Sequence, residues 1–527
     1  MYADPWILQP AWAMIGRGAR NQAMSPSLPA LARSLRYLLP FALLAVLWGG
    51  CRRDEQFTDS PSARLVLTED TVLFDTIFTT VGSVTKRFTV RNENSEAVRV
   101  DIVLQGGSPS PFRINVDGAS GLSFNDVEIL GGDSIYIFVE ATLDANNTNN
   151  PMVIEDHILF NTNGNEQNVL LVAWGQDAHF FFPDHDGGGF PDYSIIAGLD
   201  DAGNSICETV DWTNDKPYVI YGYAVVDSCS TLNIHEGVKV YLHGSSGLWV
   251  YRYGQIHVEG TAEQHVIFQG DRLEPLYDDL PGQWDRIWVM EGENDNTFSH
   301  CDIKNALVGI QCETAPWLPT EPTSNATLQL TNVSIRNSSA AGLLSRNYPI
   351  TATNLLVTDA GQYSVALTGG GEYHFNQVTV ANYWSFDIRQ EPAFILTNSV
   401  TTATGEVQVR DVLNSTFQNC ILYGNNTNEF KLDLNSLASG NVTFDHCLFR
   451  TDQSTSDLSH FPDQSSVFRN QDAGFVDPAE GDLHLGTNAF PINRGFPTSD
   501  PNAAVDLDDQ PRFIDSFPDL GCYERQP

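Results

Sequence analysis

The chain has 527 residues, of which 66 are acidic and 28 basic, giving a net charge of −38. A surface this acidic repels nucleic acid and anionic lipid, so both are poor partners for the folded part, and its carboxylates offer sites for divalent cations or simply keep the protein soluble. No long stretch carries apolar residues at helical spacing, and short alternating runs are punctuated by Gly, Pro, Asn and Thr, a pattern that predicts an all-β protein.

The first element is an address. Leu38–Gly50 is an apolar run behind Arg33 and Arg36, too short for a spanning helix, which needs about 20 apolar residues. A basic segment, an apolar run and small residues before a cut site describe a signal peptide over residues 1–50. Met24 places these features at ordinary distances, so it is read as the start. Gly49-Gly50-Cys51 resembles a bacterial lipobox, although Trp48 stands where Leu is usual. The resemblance implies that Cys51 becomes the lipid-bearing N-terminus and anchors the chain to a membrane; the alternative is an ordinary signal peptide with Cys51 uninvolved. Arg52-Arg53-Asp54-Glu55 resembles the charged signals that send Bacteroidetes lipoproteins to the outer face of the outer membrane. Residues 51–63 then form a tether. Without the first 50 residues the balance is 24 basic against 65 acidic, a charge of −41.

Residues 64–175 hold about eight short runs with turn signals between them, among them Val84–Arg91, Val98–Leu104, Phe112–Val116, Ile135–Ala141 and Asn168–Ala173. Such spacing predicts an antiparallel β-sandwich. The unit is similar to the immunoglobulin-like modules of bacterial surface lipoproteins, but it has no cysteine and therefore no inter-sheet disulfide.

Residues 176–210 carry Pro and Gly without periodicity and read as a linker and N-terminal cap. Asp184, His185 and Asp186 invite a metal reading, but the donors are too few and too close for a metal loop, and a solvated turn fits better. From residue 211 to 450 two-residue alternation is dense, and Phe298–Phe449 repeats one phrase seven times. Its copies begin at Phe298, Leu330, Ala352, Phe375, Leu396, Phe417 and Phe444. Each has an apolar residue first, mostly Asn or His third and, in most, an aliphatic last. A period in the low twenties predicts stacked layers, with like residues forming columns. Phe298, Leu330, Phe375, Leu396, Phe417 and Phe444 are expected in one inward column and Cys301, Cys420 and Cys447 in another, with Asn332, Asn354, Asn398 and Asn419 as a corner ladder of amides. The order of phrases, including Gly260-Thr261 and Gln283-Trp284…Ile287, resembles the right-handed parallel β-helix repeat family and the large β-helix lipoproteins of Bacteroidetes. That resemblance implies a β-helix over 211–450 with loops on its flank, such as Thr314–Thr323, where a ligand site would sit.

Residues 451–527 read as final rungs and a cap. Phrases such as Gly481-Asp-Leu-His-Leu485 and Asp519-Leu-Gly-Cys-Tyr-Glu524 resemble the terminal segment of many bacterial β-helix proteins, and its expected task is to cover the open last rung. Asp506, Arg512 and Asp519 read as a charge network holding that cap rather than as a catalytic cluster.

The chemistry is sparse. No Cys or His spacing points to zinc, so neither metal nor cofactor is expected. Of the cysteines after Cys51, Cys207 and Cys229 lie in loop-like sequence and are the best disulfide candidates for an exported chain. Only five lysines follow the signal peptide, at 86, 216, 239, 304 and 431, and none adjoins a carboxylate cluster that reads as catalytic. The sequence therefore favours a non-enzymatic, lipid-anchored protein of the outer membrane, exposed at the cell surface, whose β-helix binds or scaffolds, with glycans as candidate partners. The alternatives are a polysaccharide hydrolase or lyase with flank carboxylates, and an adhesin.

Overall fold

The computed structural model describes residues 55–79, 81–144, 152–200, 203–314, 321–402, 405–514 and 516–526. The signal segment, Met24 and Cys51 lie outside them, as do residues 315–320 of the proline-rich insertion. The described residues are all-β, with only two single-turn 3-10 helices, Pro275–Tyr277 and Pro501–Ala503. Their contacts divide the chain into two units, one closing at Gly175 and the other running from Gln176.

In the first unit, two five-stranded sheets share one core. Lys86–Arg91 pairs antiparallel with Ser134–Ala141, and Met152–Thr162 with Asn165–Gln176. Alternation decides which side chains enter the core: in Val98–Leu104 the residues Val98, Val100, Ile102 and Leu104 are buried while Arg99 and Asp101 face out. The unit also contains the strand Thr71–Phe78, in which Asp75 and Thr76 interrupt the apolar run.

The second unit is built on two parallel sheets of seventeen and nine strands. Each layer contributes a bent segment to the larger sheet and a strand to the smaller one, and each pairs with its counterpart in the next layer. Asn296–Lys304 pairs with Leu328–Arg336, which pairs with Ile350–Thr358. On the smaller sheet Ala306–Glu313 pairs with Ala341–Arg346, then Tyr363–Thr368. One apolar core runs from Trp212 and Tyr218 to Phe449 and Phe461. Phe298, Leu330, Ala352, Phe375, Phe417 and Phe444 form its inward column, with ring centroids 5.0 Å apart for Phe375–Phe417 and 4.8 Å for Phe417–Phe444.

The third position of the repeated phrase has a backbone reason. His300, Asn332, Asn354, Gln377, Asn419 and His446 all hold φ between 46° and 58° and bend each segment between two faces of the larger sheet. Asn is among the few non-Gly residues that adopt this left-handed conformation readily.

Two expectations need correction. The copy beginning at Leu396 is not part of this series: Phe394–Thr397 belongs to the nine-stranded sheet, and Phe375 pairs directly with Phe417. That layer is long because it carries the 383–392 loop and the hairpin of Ser399–Thr401 with Val407–Val409. Asn398 accordingly leaves the amide ladder and instead fixes a loop, donating to the carbonyl of Asn435 at 2.9 Å and accepting from its amide at 2.7 Å. Any half-buried strand ending in a polar corner satisfies the phrase, which is why it matched. The long loop is held by a buried ion pair, Arg389 to Glu429, at 2.7 and 2.5 Å.

The second correction concerns the end of the chain. The last layer's core is closed by Phe461, which packs on Phe444 at 5.5 Å and Phe449 at 6.0 Å. The segment after Asn470 lies along the side of the stack, over the corner ladder and one outward face. Asp509 meets His300 and Asn332, the carbonyls of Asn502 and Val505 accept from Asn354, and Phe496 exchanges two bonds with Asn419. Leu483, Leu507, Cys522 and Tyr523 cover Leu356 and Ala381. Apolar residues on that outward face needed cover, and the end of the chain supplies it.

Candidate functional site

The outward faces of the larger sheet differ sharply in chemistry. Before the corner, register places Asp211, Asn233, His257, Thr297, Gln329, Thr351, His374, Thr416 and Thr443 in one unbroken column. Two residues along, His235, Glu259, Ser299, Thr331, Thr353, Asn376, Gln418 and Asp445 form a second. All residues of the first column are exposed or half-buried.

Neighbouring layers fix these side chains. Asn233 donates to Asp211 at 2.9 Å, and the His235 ring lies 3.0 Å from Asp211 and 3.3 Å from Glu259. His257 contacts the Thr297 hydroxyl at 2.8 Å and His374 the Thr416 hydroxyl at 3.0 Å. The bonds from Asn233 and His235 hold the Asp211 carboxyl below its usual range. The result is a lattice of hydroxyls, amides, imidazoles and carboxylates.

Beyond the corner, Ile267, Asp302 and Ser334 form one outward column, with Lys304 and Arg336 paired beside it. These residues and Gln269 line an open groove of about 270 Å³. The Lys304 ammonium reaches Asp278 at 2.8 Å, Arg336 donates to Ser334 at 2.7 Å, and Asp302 is held by His265 at 2.9 Å. Sequence reasoning missed this groove, because Lys304 and Arg336 are 32 residues apart and meet only through register. On the smaller sheet, Trp249 and Trp288 stack at 4.8 Å, and the Trp288 indole donates to Glu313 at 2.8 Å. Trp249 is nearly fully buried, so the pair is packing rather than an open platform.

The residues singled out in the sequence fall as follows. Cys207 and Cys229 are joined as a disulfide, with Cα atoms 5.1 Å apart. Cys301, Cys312, Cys420, Cys447 and Cys522 are buried thiols. His185 bonds its neighbour Asp184 at 2.5 Å, and Asp186 accepts from the Gly188 amide. No group of three or more His, Cys, Asp or Glu side chains that could hold a metal occurs among the described residues. Asp506, Arg512 and Asp519 are almost fully buried within the terminal segment, joined by Glu524. Asp506 accepts from the Glu524 amide at 2.9 Å, and Asp519 from those of Asn493 at 2.6 Å and Arg525 at 2.8 Å. Burial, and then the neighbouring Asp519, push the Glu524 carboxyl up to about 8. No helix among the described residues is long and apolar enough to cross a membrane.

No family model matches the chain, and no curated protein matches it. Among solved structures, the PapD-like domain 7 of human CEP192 is 10% identical over 23% of this chain and 89% of its own, with a TM-score of 0.16. A family 123 glycoside hydrolase from Clostridium perfringens is 9% identical over 21% of this chain, with a TM-score of 0.15. The alkylpurine DNA glycosylase AlkC of Pseudomonas fluorescens is 13% identical over 22%, with a TM-score of 0.14. The matches span 26% and 31% of the length of those two enzymes. Likeness at these scores carries nothing about activity to this chain.

Proposed function

We propose that the chain is a non-enzymatic surface lipoprotein that holds an extended, hydroxyl-rich polymer, a glycan, along the polar face of its larger sheet. In this reading the first unit is an immunoglobulin-like β-sandwich and spacer, the second is a right-handed parallel β-helix, and Cys51 carries the lipid that ties both to the outer membrane. The observation that carries it is the column from Asp211 to Thr443: nine polar side chains on successive strands, uninterrupted by an apolar residue. Strands spaced about 4.8 Å apart give it a length of roughly 38 Å, enough for a polymer rather than a single small molecule. Hydroxyls, amides and imidazoles held by neighbours meet sugar hydroxyls at little ordering cost.

The carboxyls that burial raises support binding over cleavage. Asp359, Glu429, Asp506 and Glu524 all serve corners, loop anchors or the terminal segment rather than the open face. A glycan array probed with the purified protein tests the binding, and a signal absent from every hydroxyl-rich polymer would refute it. Palmitate labelling tests the anchor: it should vanish in Cys51→Ala, and labelling that persists would overturn that part.

A further inference from the structure

The groove beyond the corner has a different chemistry from the polar face, and its ligand can be argued separately. In a chain of net charge −38, Lys304 and Arg336 stand on adjacent strands in direct register, facing outward, so their side chains start about 4.8 Å apart. Beside them lie Asp302 and Ser334, also in register, with Ile267 one strand earlier. Farther down the stack the same face is closed: Leu356 and Ala381 lie under Leu483, Leu507 and Tyr523. The Tyr523 hydroxyl sits 3.5 Å from Arg336. Asp278, exposed on the loop after Pro275–Tyr277, pairs with the Lys304 ammonium at 2.8 Å. The groove is thus the stretch that the end of the chain leaves uncovered.

Its composition selects among anions. Two adjacent cations suit a carboxylate, sulfate or phosphate. Asp302 at the floor is an acceptor, and a bare sulfate or phosphate would face it at like charge. A ligand carrying both an anionic group and hydroxyl donors satisfies the whole set. The volume of about 270 Å³ falls just below the ~300–1,000 Å³ of sites for drug-sized molecules, the scale of a single sugar ring.

We propose that this groove binds a uronate residue. Its carboxylate lies between the Lys304 ammonium and the Arg336 guanidinium, its hydroxyls meet Asp302, Ser334 and Gln269, and the apolar face of the ring rests on Ile267. The site is distinct from the polar face and does not depend on what that face holds.

Isothermal titration of the purified protein with tetragalacturonate, its carboxyl-reduced counterpart and inorganic sulfate tests this. Tetragalacturonate should bind at least tenfold more tightly than the reduced form, and Lys304→Gln should abolish that preference. Arg336→Ala should do the same, with an unchanged melting profile showing that the contact with Tyr523 was not needed for folding; should Arg336→Ala unfold, Lys304→Gln alone decides. Equal affinity for the two tetrasaccharides, a preference that survives Lys304→Gln, or no binding of tetragalacturonate would overturn the proposal. Sulfate displacing tetragalacturonate at equal concentration would make the groove a bare-anion site and overturn it equally.

Discussion

The guanidinium of Arg512 donates to the side-chain oxygen of Asn354 at 2.8 Å, across 158 residues of sequence. A second bond from the same nitrogen reaches the carbonyl of Cys522 at 2.7 Å. One buried cation thereby ties the terminal segment to itself and to the corner ladder. Three carboxyls, Asp506, Glu524 and Asp519, share its surroundings, Glu524 at 3.7 Å.

Removing that cation leaves the buried carboxyls their backbone hydrogen bonds but takes away their counter-charge. Arg512→Ala is expected to destabilise the protein by about 3–5 kcal/mol and to expose the terminal segment first. Urea denaturation measures the loss. Limited proteolysis should cut between residues 470 and 526 before the rest of the chain, and cleavage no faster than in the parent would contradict this role.

The terminal segment should also loosen with alkali. Bonds from His484 to Asp508 and Asp482, both at 2.6 Å, raise the imidazole to about 9 against burial. Its folded pKa exceeds the unfolded value, so its stabilisation is complete below about 6.5 and is lost as pH rises through 9. Glu524, raised to about 8 from 4.5, has the same sign, because ionising it inside the fold becomes increasingly costly up to that pH. Hydrogen exchange of Leu483 and Leu507 should accelerate between pH 7 and 9 more than that of Val333 or Leu355. Uniform acceleration, after correction for intrinsic exchange, would contradict the assignment.

The corner conformation can be separated from the corner bonds. Asn354 has φ 53° and donates to Asn332, Asn502 and Val505, each at 2.9 Å. Asn354→Ala loses both features and should cost roughly 2–4 kcal/mol. Asn354→Gly loses the bonds but keeps the backbone at ease, so its cost should be smaller by about 1 kcal/mol. Equal losses in thermal melts would show that φ is not what selects Asn here.

Much of this architecture was legible. Strand alternation, the stacked layers and the preference for Asn or His at the bend all follow from local rules, since an inward column needs apolar residues and a left-handed corner needs Asn-like ones. The Leu396 copy misled because a phrase of six residues does not encode which sheet its strand joins. The groove was invisible for a related reason: Lys304 and Arg336 become neighbours only once register is known. The lateral path of the terminal segment depends on outward apolar residues such as Leu356 and Ala381, which in sequence look like any other buried position.

The disulfide gives a simpler test. Cys207 and Cys229 close a separation of 22 residues beside the first layers of the second unit. Replacing both with Ser should lower stability by about 2–4 kcal/mol and remove any effect of reductant on the melting temperature. A melting temperature of the parent protein that ignores reductant would contradict a stabilising bond.

The central claim is that the polar face holds a glycan without cutting it. The most direct measurement is retention of an extended glycan on immobilised protein, with the eluted material sized by mass spectrometry, for the parent and for His257→Ala/Thr297→Ala/His374→Ala. The account predicts intact glycan, with affinity weakened at least tenfold by the triple variant, the loss of three sugar hydrogen bonds worth about 0.5–1.5 kcal/mol each. Shortened products, or binding that the triple variant leaves unchanged, would contradict it.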